Sequence, residues 1–177
     1  AGRLSRRTWA RGVTTDYAYD SMGQLESIDY SDSTPDVAFT YDRLGRQLTV
    51  TDGLGTRTNA YDPDTLVLAE EQLPDGKTLA RAYDSLGRSS GFTLDSDYAV
   101  NYGYDDMGRF DSVSFASLVF NYSYVPDSDL ITGYTNNAGL SVERVYEPDR
   151  NLIASIQNRF GGSLVSQFDY ENDAIGR

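Results

Sequence analysis

Tyr-Asp, or a close variant, returns along the chain at Tyr19, Tyr41, Tyr61, Tyr83, Tyr104, Tyr124, Tyr146 and Tyr170, in steps of 22, 20, 22, 21, 20, 22 and 24 residues. Eight of the fourteen tyrosines therefore share one phase. A period of this length is the mark of a repeat architecture, in which each unit buries its apolar face only by stacking on its neighbours. That single feature restricts the fold more than anything else in the sequence.

The motif has two forms. Four copies read Tyr-Asp-x-[Leu/Met]-Gly-[Arg/Gln]: Tyr19, Asp20 and Gly23; Tyr41, Asp42, Gly45 and Arg46; Tyr83, Asp84, Gly87 and Arg88; Tyr104, Asp105, Gly108 and Arg109. Three copies place a proline two residues after the tyrosine: Tyr61, Asp62 and Pro63; Tyr124, Val125 and Pro126; Tyr146, Glu147 and Pro148. The last, from Tyr170, reaches its Gly176-Arg177 two residues late. Both forms are tight-turn chemistry, since Gly supplies a positive φ and Pro presets the first corner. A second series of turn signals lies midway between them, at Asp32, Asp52, Leu73, Leu94, Asn136 and Asn158, with a weaker one at Phe115. Each period thus holds two turns and two connecting segments.

Those segments read as strands. Counting the motif tyrosine as position 0, positions 0, −2 and −4 are mostly large (Tyr41, Phe39, Val37) and position −1 mostly small (Ala18, Thr40, Ala60). That is period two. A four-residue turn would pair 0 with +5 and hence −4 with +9, where Ile28, Val50, Phe92 and Val113 stand. Position +6 is also apolar (Leu25, Val67, Phe110, Leu130, Leu152) and would fall on the other face, so that both faces are partly covered. No helical stripe is visible. The fold expected is all-β: eight hairpins, about sixteen antiparallel strands ~23 Å long, side by side in a ribbon ~75 Å wide. Twisted open sheets rarely exceed about ten strands without curling, so a sheet of this kind should curl into a spiral or shell wall. Propeller blades need twice this period, and the leucine-rich and calcium-binding repeat patterns are absent.

Composition narrows the function. With 15 basic and 27 acidic side chains the formal charge is −12, which argues against nucleic acid or an anionic membrane surface as partner. Lys77 is the only lysine. There is no Cys and no His, which removes thiolate metal sites, the usual zinc ligand and the His-dependent triads. No apolar run reaches the ~20 residues of a membrane span, and no leader is visible at Ala1.

Phased copies of Tyr-Asp-x-x-Gly-Arg at this spacing resemble the YD-repeat, or Rhs-repeat, family. The resemblance covers the whole chain, residues 1–177, as one array of about eight repeats that looks cut from a larger protein. It departs from the family pattern in the proline copies and at Val125, Glu147 and Glu171, which replace the Asp. It implies a long sheet wound into a hollow shell. In bacterial relatives the shell encloses a toxic C-terminal polypeptide; in teneurin-like proteins it serves adhesion at the cell surface. The paired Asp-Pro-x-Gly segment with self-cleaving aspartates found in bacterial shells has no match here, so no protease residue is implied.

The motif aspartates are candidates for a ligand or a catalytic group, but a residue set repeated every ~21 positions fits a turn brace better. The arginines Arg46, Arg88 and Arg109 are expected to pair with carboxylates or stack on tyrosines. Asp95-Ser96-Asp97 and Asp127-Ser128-Asp129 are acidic turns, each short of the six to eight oxygens calcium takes. The reading is a structural shell segment, not an enzyme, with no cofactor. It is secreted or at the cell surface, and its partners are neighbouring repeats of the same or an identical chain and an enclosed toxin domain. An adhesive or glycan-binding surface built on the aromatics, Trp9 among them, is the alternative.

Overall fold

The computed structural model describes residues 2–176; Ala1, and Arg177 at the close of the last motif copy, lie outside the described residues. Among the described residues sixteen strands follow one another in sequence order as antiparallel neighbours in one sheet. Among the described residues no helix is long and apolar enough to cross a membrane. The chain divides into two compact units, one of residues up to Ala82 with Thr93–Asp97, the other of Tyr83–Phe92 with the residues from Tyr98 onward.

The first unit is built on β1 (Arg6–Thr8), β2 (Thr14–Tyr19), β3 (Leu25–Tyr30), β4 (Val37–Tyr41), β5 (Gln47–Asp52), β6 (Gly55–Tyr61) and β7 (Leu68–Gln72). Then come β8 (Thr78–Tyr83) and β9 (Ser89–Leu94). The second unit is built on β10 (Tyr98–Tyr104), β11 (Phe110–Phe115), β12 (Leu118–Tyr124), β13 (Ile131–Asn136), β14 (Leu140–Tyr146), β15 (Ile153–Phe160) and β16 (Ser163–Asp169). Every motif from Tyr19 to Tyr146 joins the two strands of a hairpin, and the midway turn signals, the weak one at Phe115 included, join each hairpin to the next. Three of those midway links are two-residue turns, closed by Asp52 with Gly55, Phe115 with Leu118 and Phe160 with Ser163.

The register corrects the sequence expectation. Tyr41 faces Gln47, at +6 rather than +5, and Phe39 at −2, not Val37 at −4, faces Val50 at +9. Leu48 is the extra residue between them, a β-bulge. The same shift follows Tyr19 and Tyr104, where Glu26 and Asp111 are the extra residues. Without a bulge, positions +6 and +9 would point to opposite faces; the extra residue turns both to the tyrosine side. So Leu25 and Phe110 lie opposite the tyrosines of their own hairpins, on one apolar face rather than two.

Burial agrees. Along β4, Val37, Phe39 and Tyr41 are half-buried while Ala38 and Thr40 are exposed; along β12, Phe120, Tyr122 and Tyr124 are half-buried while Asn121 and Ser123 are exposed. The open face carries short polar side chains, among them Thr40 and Thr49, whose hydroxyls lie 2.6 Å apart, and Thr51 and Thr56, 2.8 Å apart. In the second unit the tyrosine face is a chain of rings. Phe110 lies 5.8 Å from Tyr102, 6.0 Å from Tyr104 and 5.2 Å from Tyr122, and Tyr122 lies 5.6 Å from Tyr134. In the first unit Arg57, Asn59 and Arg81 hold positions where other repeats carry rings or aliphatic chains, and Arg81 pairs with Glu71 at 2.6 Å.

Candidate functional site

The repeated chemistry sits at the motif turns. In the copy from Tyr41, the Asp42 N–H donates to the Arg46 carbonyl and the Gly45 N–H to the Asp42 carbonyl. That encloses a three-residue loop, Arg43-Leu44-Gly45, ending in glycine at φ +80°. A non-glycine residue is strained there. Asp42 then braces the loop from inside. Its Oδ1 accepts the N–H groups of Leu44 at 2.8 Å and Arg46 at 2.9 Å, and its Oδ2 accepts the Arg46 Nε at 2.7 Å. Asp84 and Asp105 repeat this with Leu86 and Arg88, and with Met107 and Arg109. Asp20 holds the N–H groups of Met22 and Gln24. Gln24 stands in the arginine's place, and its Nε2 donates to the Gly45 carbonyl of the next turn.

The arginines reach forward by one repeat. The Arg46 guanidinium lies over the Tyr61 ring at 4.2 Å and donates to the Leu66 carbonyl at 2.9 Å. Arg88 lies over Tyr104 at 4.1 Å. Arg109 lies over Tyr124 at 4.3 Å and donates to the Ser128 carbonyl at 2.5 Å. A planar, delocalised cation suits this double duty, pairing with a carboxylate along its edge while stacking through its face.

The tyrosines reach back. Tyr41 OH donates to the Leu25 carbonyl at 2.8 Å, Tyr61 OH to Gln47 at 2.9 Å, Tyr104 OH to Ser89 at 2.8 Å, Tyr124 OH to Phe110 at 2.5 Å and Tyr146 OH to Ile131 at 2.8 Å. Tyr19 OH reaches Leu4 in the same way at 3.0 Å. The acceptor lies just beyond the preceding motif turn each time. Three neighbouring pairs of joints, Tyr41 with Tyr61, Tyr83 with Tyr104 and Tyr104 with Tyr124, are thus tied by an arginine from one side and a phenol from the other.

The proline copies are built differently. They close one residue later, through Asp62 N–H to the Val67 carbonyl, Val125 to Leu130 and Glu147 to Leu152. Pro126 and Asp127 occupy the central positions of a turn with the Ser128 N–H on the Val125 carbonyl, and Asp127 takes φ +55°. Asp62 accepts from the N–H groups of Asp64 and Thr65 and from the Thr65 hydroxyl. The copy from Tyr146 rebuilds the bracket from other residues: Arg150 Nε meets Glu147 Oε2 at 2.5 Å, and its Nη1 donates to the Asp173 carbonyl at 2.7 Å. Sequence reasoning missed that pair. The signal was Arg150, an arginine at +4 after the acid Glu147 in the copy from Tyr146.

The electrostatics are those of braces. Burial pushes the Asp42, Asp84 and Asp105 carboxyls up, but the turn N–H groups and the paired guanidinium outweigh it and hold all three below the usual carboxylate range. Asp62 is lowered chiefly by the Thr65 N–H and hydroxyl. Carboxyls held ionised well below neutrality, with their oxygens taken up by their own loop, are poorly matched to general acid–base work near pH 7.

The acidic turns stay dispersed. Asp95 braces the Thr78 N–H, Ser128 spends its carbonyl on Arg109, and no three ligand side chains gather to hold a metal among the described residues. A concavity of about 440 Å³, open to solvent, lies between two midway turns of the first unit and is lined by Leu54, Arg57, Leu73, Pro74 and Asp75. Arg57 and Asp75 are its charged groups. Tyr83 and Tyr170 are 37% and 47% exposed, so the two are less covered than the rest of their series.

No family model matches the chain, and no curated protein does. Solved structures do. A crystal structure of TcdB2-TccC3 aligns with 95% of this chain at 21% identity and a TM-score of 0.58. The Tc holotoxin pore of Photorhabdus luminescens aligns with 95% at 20% identity and 0.58. A TcdB2-TccC3-TEV crystal structure aligns with 99% at 14% identity and 0.57. The chain spans only 9 to 12% of the length of those structures. The likeness is one of fold: this chain is built as a stretch of the sheet in components of a Tc toxin.

Proposed function

We propose that this chain is a wall segment of a YD/Rhs-repeat shell, a structural element of a larger secreted or surface protein that encloses or presents a cargo domain. The observation that supports it most is the relay of joints. Side chains that a catalytic site would keep free are consumed in tying one hairpin to the next. The fold likeness to Tc toxin components, over nearly the whole chain, points the same way. Residues 1–177 are read as one array, and the motif positions from Tyr19 to Tyr170 as its structural set.

The reading is tested on the full-length product of the gene, by limited proteolysis followed by mass spectrometry. A shell predicts that the segment C-terminal to the array resists protease while the array is intact and is cleaved when Gly45→Val and Gly87→Val loosen its joints. Equal cleavage in both forms would overturn enclosure. Binding on a glycan array that Trp9→Ala abolishes, with no protected segment, would select the adhesive alternative.

A further inference from the structure

In a repeat array the side chains that build the fold recur. A side chain that breaks the recurrence and serves no joint is therefore a candidate for function. Arg57 is such a break. At position −4 it is the only charged residue of the series, and the copies on either side carry Val37 and Leu79. It faces Val50 on β5, which sets it on the tyrosine face. Its guanidinium makes no hydrogen bond or ion pair among the described residues, whereas Arg81 is held by Glu71 at 2.6 Å. Asn59, two residues along the same face, has a buried Oδ1 with no partner among the described residues. An acceptor left in that state costs stability rather than supplying it.

The concavity of about 440 Å³ lies at the same place, and its walls are firmly built. Leu54 stands at the tip of the β5–β6 turn and is 86% exposed. Prolines grip that turn from both sides, because glycines leave them room. A Cβ on Gly53 would lie 2.5 Å from Pro35, and one on Gly55 would lie 3.0 Å from Pro74. Leu73, just beyond the pairing of Thr58 with Gln72, and Pro74 form the facing wall. All of these residues belong to the first unit.

The hollow is small and open to solvent, so it suits one large side chain of a longer chain better than a whole enclosed molecule. Its apolar walls select an aliphatic or aromatic group. The free guanidinium beside them selects an anion, and its planar fork matches a carboxylate. Asp75 on the same rim is engaged by Lys77 at 3.2 Å, and its charge opposes a doubly charged group such as phosphate.

We infer that this hollow binds a peptide segment in which a bulky apolar residue stands beside an acidic one. The apolar side chain fills the space between Leu54 and the Leu73–Pro74 wall, and the carboxylate pairs with Arg57. Such binding requires neither a closed shell nor an enclosed cargo.

The probes are acetyl-Gly-Leu-Glu-Leu-Gly-amide and the same peptide with lysine in place of glutamate. Titrated into isotope-labelled protein, the glutamate peptide should shift the amide resonances of Leu54, Arg57 and Leu73 with a Kd of about 1 mM. The lysine peptide should bind at least about tenfold more weakly. Arg57→Val restores the residue type that the repeat uses at −4. It should weaken binding of the glutamate peptide at least about tenfold while the melting temperature stays the same or rises. Leu54→Ser, at an exposed tip, should weaken binding without lowering the melting temperature. No shifts at about 10 mM peptide, an equal response to the two peptides, or unchanged binding by Arg57→Val would overturn the inference. So would a lower melting temperature in Arg57→Val, which would make Arg57 a structural residue.

Discussion

The copies from Tyr41 and Tyr61 are consecutive, and they turn the chain in different ways. The first uses three loop residues, a glycine at φ +80° and an Asp–Arg bracket. The second uses four, with Leu66 at φ +65° taking the left-handed position and no arginine at +5. Yet both deliver the same ladder. Tyr41 faces the residue after the closing pair, one extra residue follows, and regular pairing resumes at Thr40 with Thr49. Tyr61 does the same one number later, with Ala69 as the extra residue and Ala60 facing Glu70. In the second unit the proline copies from Tyr124 and Tyr146 follow suit, with Thr132 and Ala154. What the repeat holds constant is the register leaving the joint, and different loops are tolerated as long as they supply it.

The largest effect should separate the two turn types by backbone strain. A Cβ at Gly87 meets nothing within 4 Å, so Gly87→Val isolates the cost of φ +78°. It should lose about 2 kcal/mol, read by chemical denaturation. Leu66→Gly, at a position that already strains a side chain, should gain up to about 1 kcal/mol. Loss in both variants would erase the distinction.

Next come the arginines. Arg109→Ala removes a carboxylate pair, a stacked ring and a carbonyl contact, and should cost about 1.5 kcal/mol. Arg109→Lys should recover less than half of it, because an ammonium keeps the charge but loses the fork and the plane. Full rescue by lysine would reduce the bracket to a point charge. Smaller again is Tyr124→Phe, which takes the hydroxyl from the Phe110 carbonyl and should cost about 1 kcal/mol in thermal unfolding.

The smallest is a pH effect. Asp42, Asp84 and Asp105 titrate below their ordinary value in the folded chain. The stability they contribute is therefore present above about pH 4 and is lost as pH falls through their depressed values. Melting temperature should drop below about pH 4, less steeply in Asp42→Asn and Asp84→Asn, while Val125→Ala leaves that acid limb as it was. A limb unchanged by the Asn variants would assign it to other carboxyls.

Much of this was legible in the sequence. The tyrosine phase located the motif turns from Tyr19 to Tyr146, and large residues at 0, −2 and −4 marked the strands, though not which face is covered. The bulge was not read, although apolar residues at both +6 and +9 require one: Leu25 and Ile28 share a face only if Glu26 is extra. Counting loop residues alone leaves that parity undetermined. The chemistry of Asp42 and Arg46 was readable from residue type, since an Asx brace is local. The forward reach of Arg46 onto Tyr61, and of Tyr61 back to Gln47, depends on which strands stand side by side, which no single period shows.

The central claim is that each motif is a joint that sets register. Cross-strand nuclear Overhauser effects in the β4–β5 hairpin test it most directly. The account predicts contacts joining Phe39 to Val50 and Thr40 to Thr49, with Leu48 unpaired. Contacts joining Val37 to Val50 would mean a turn without the bulge and would contradict it.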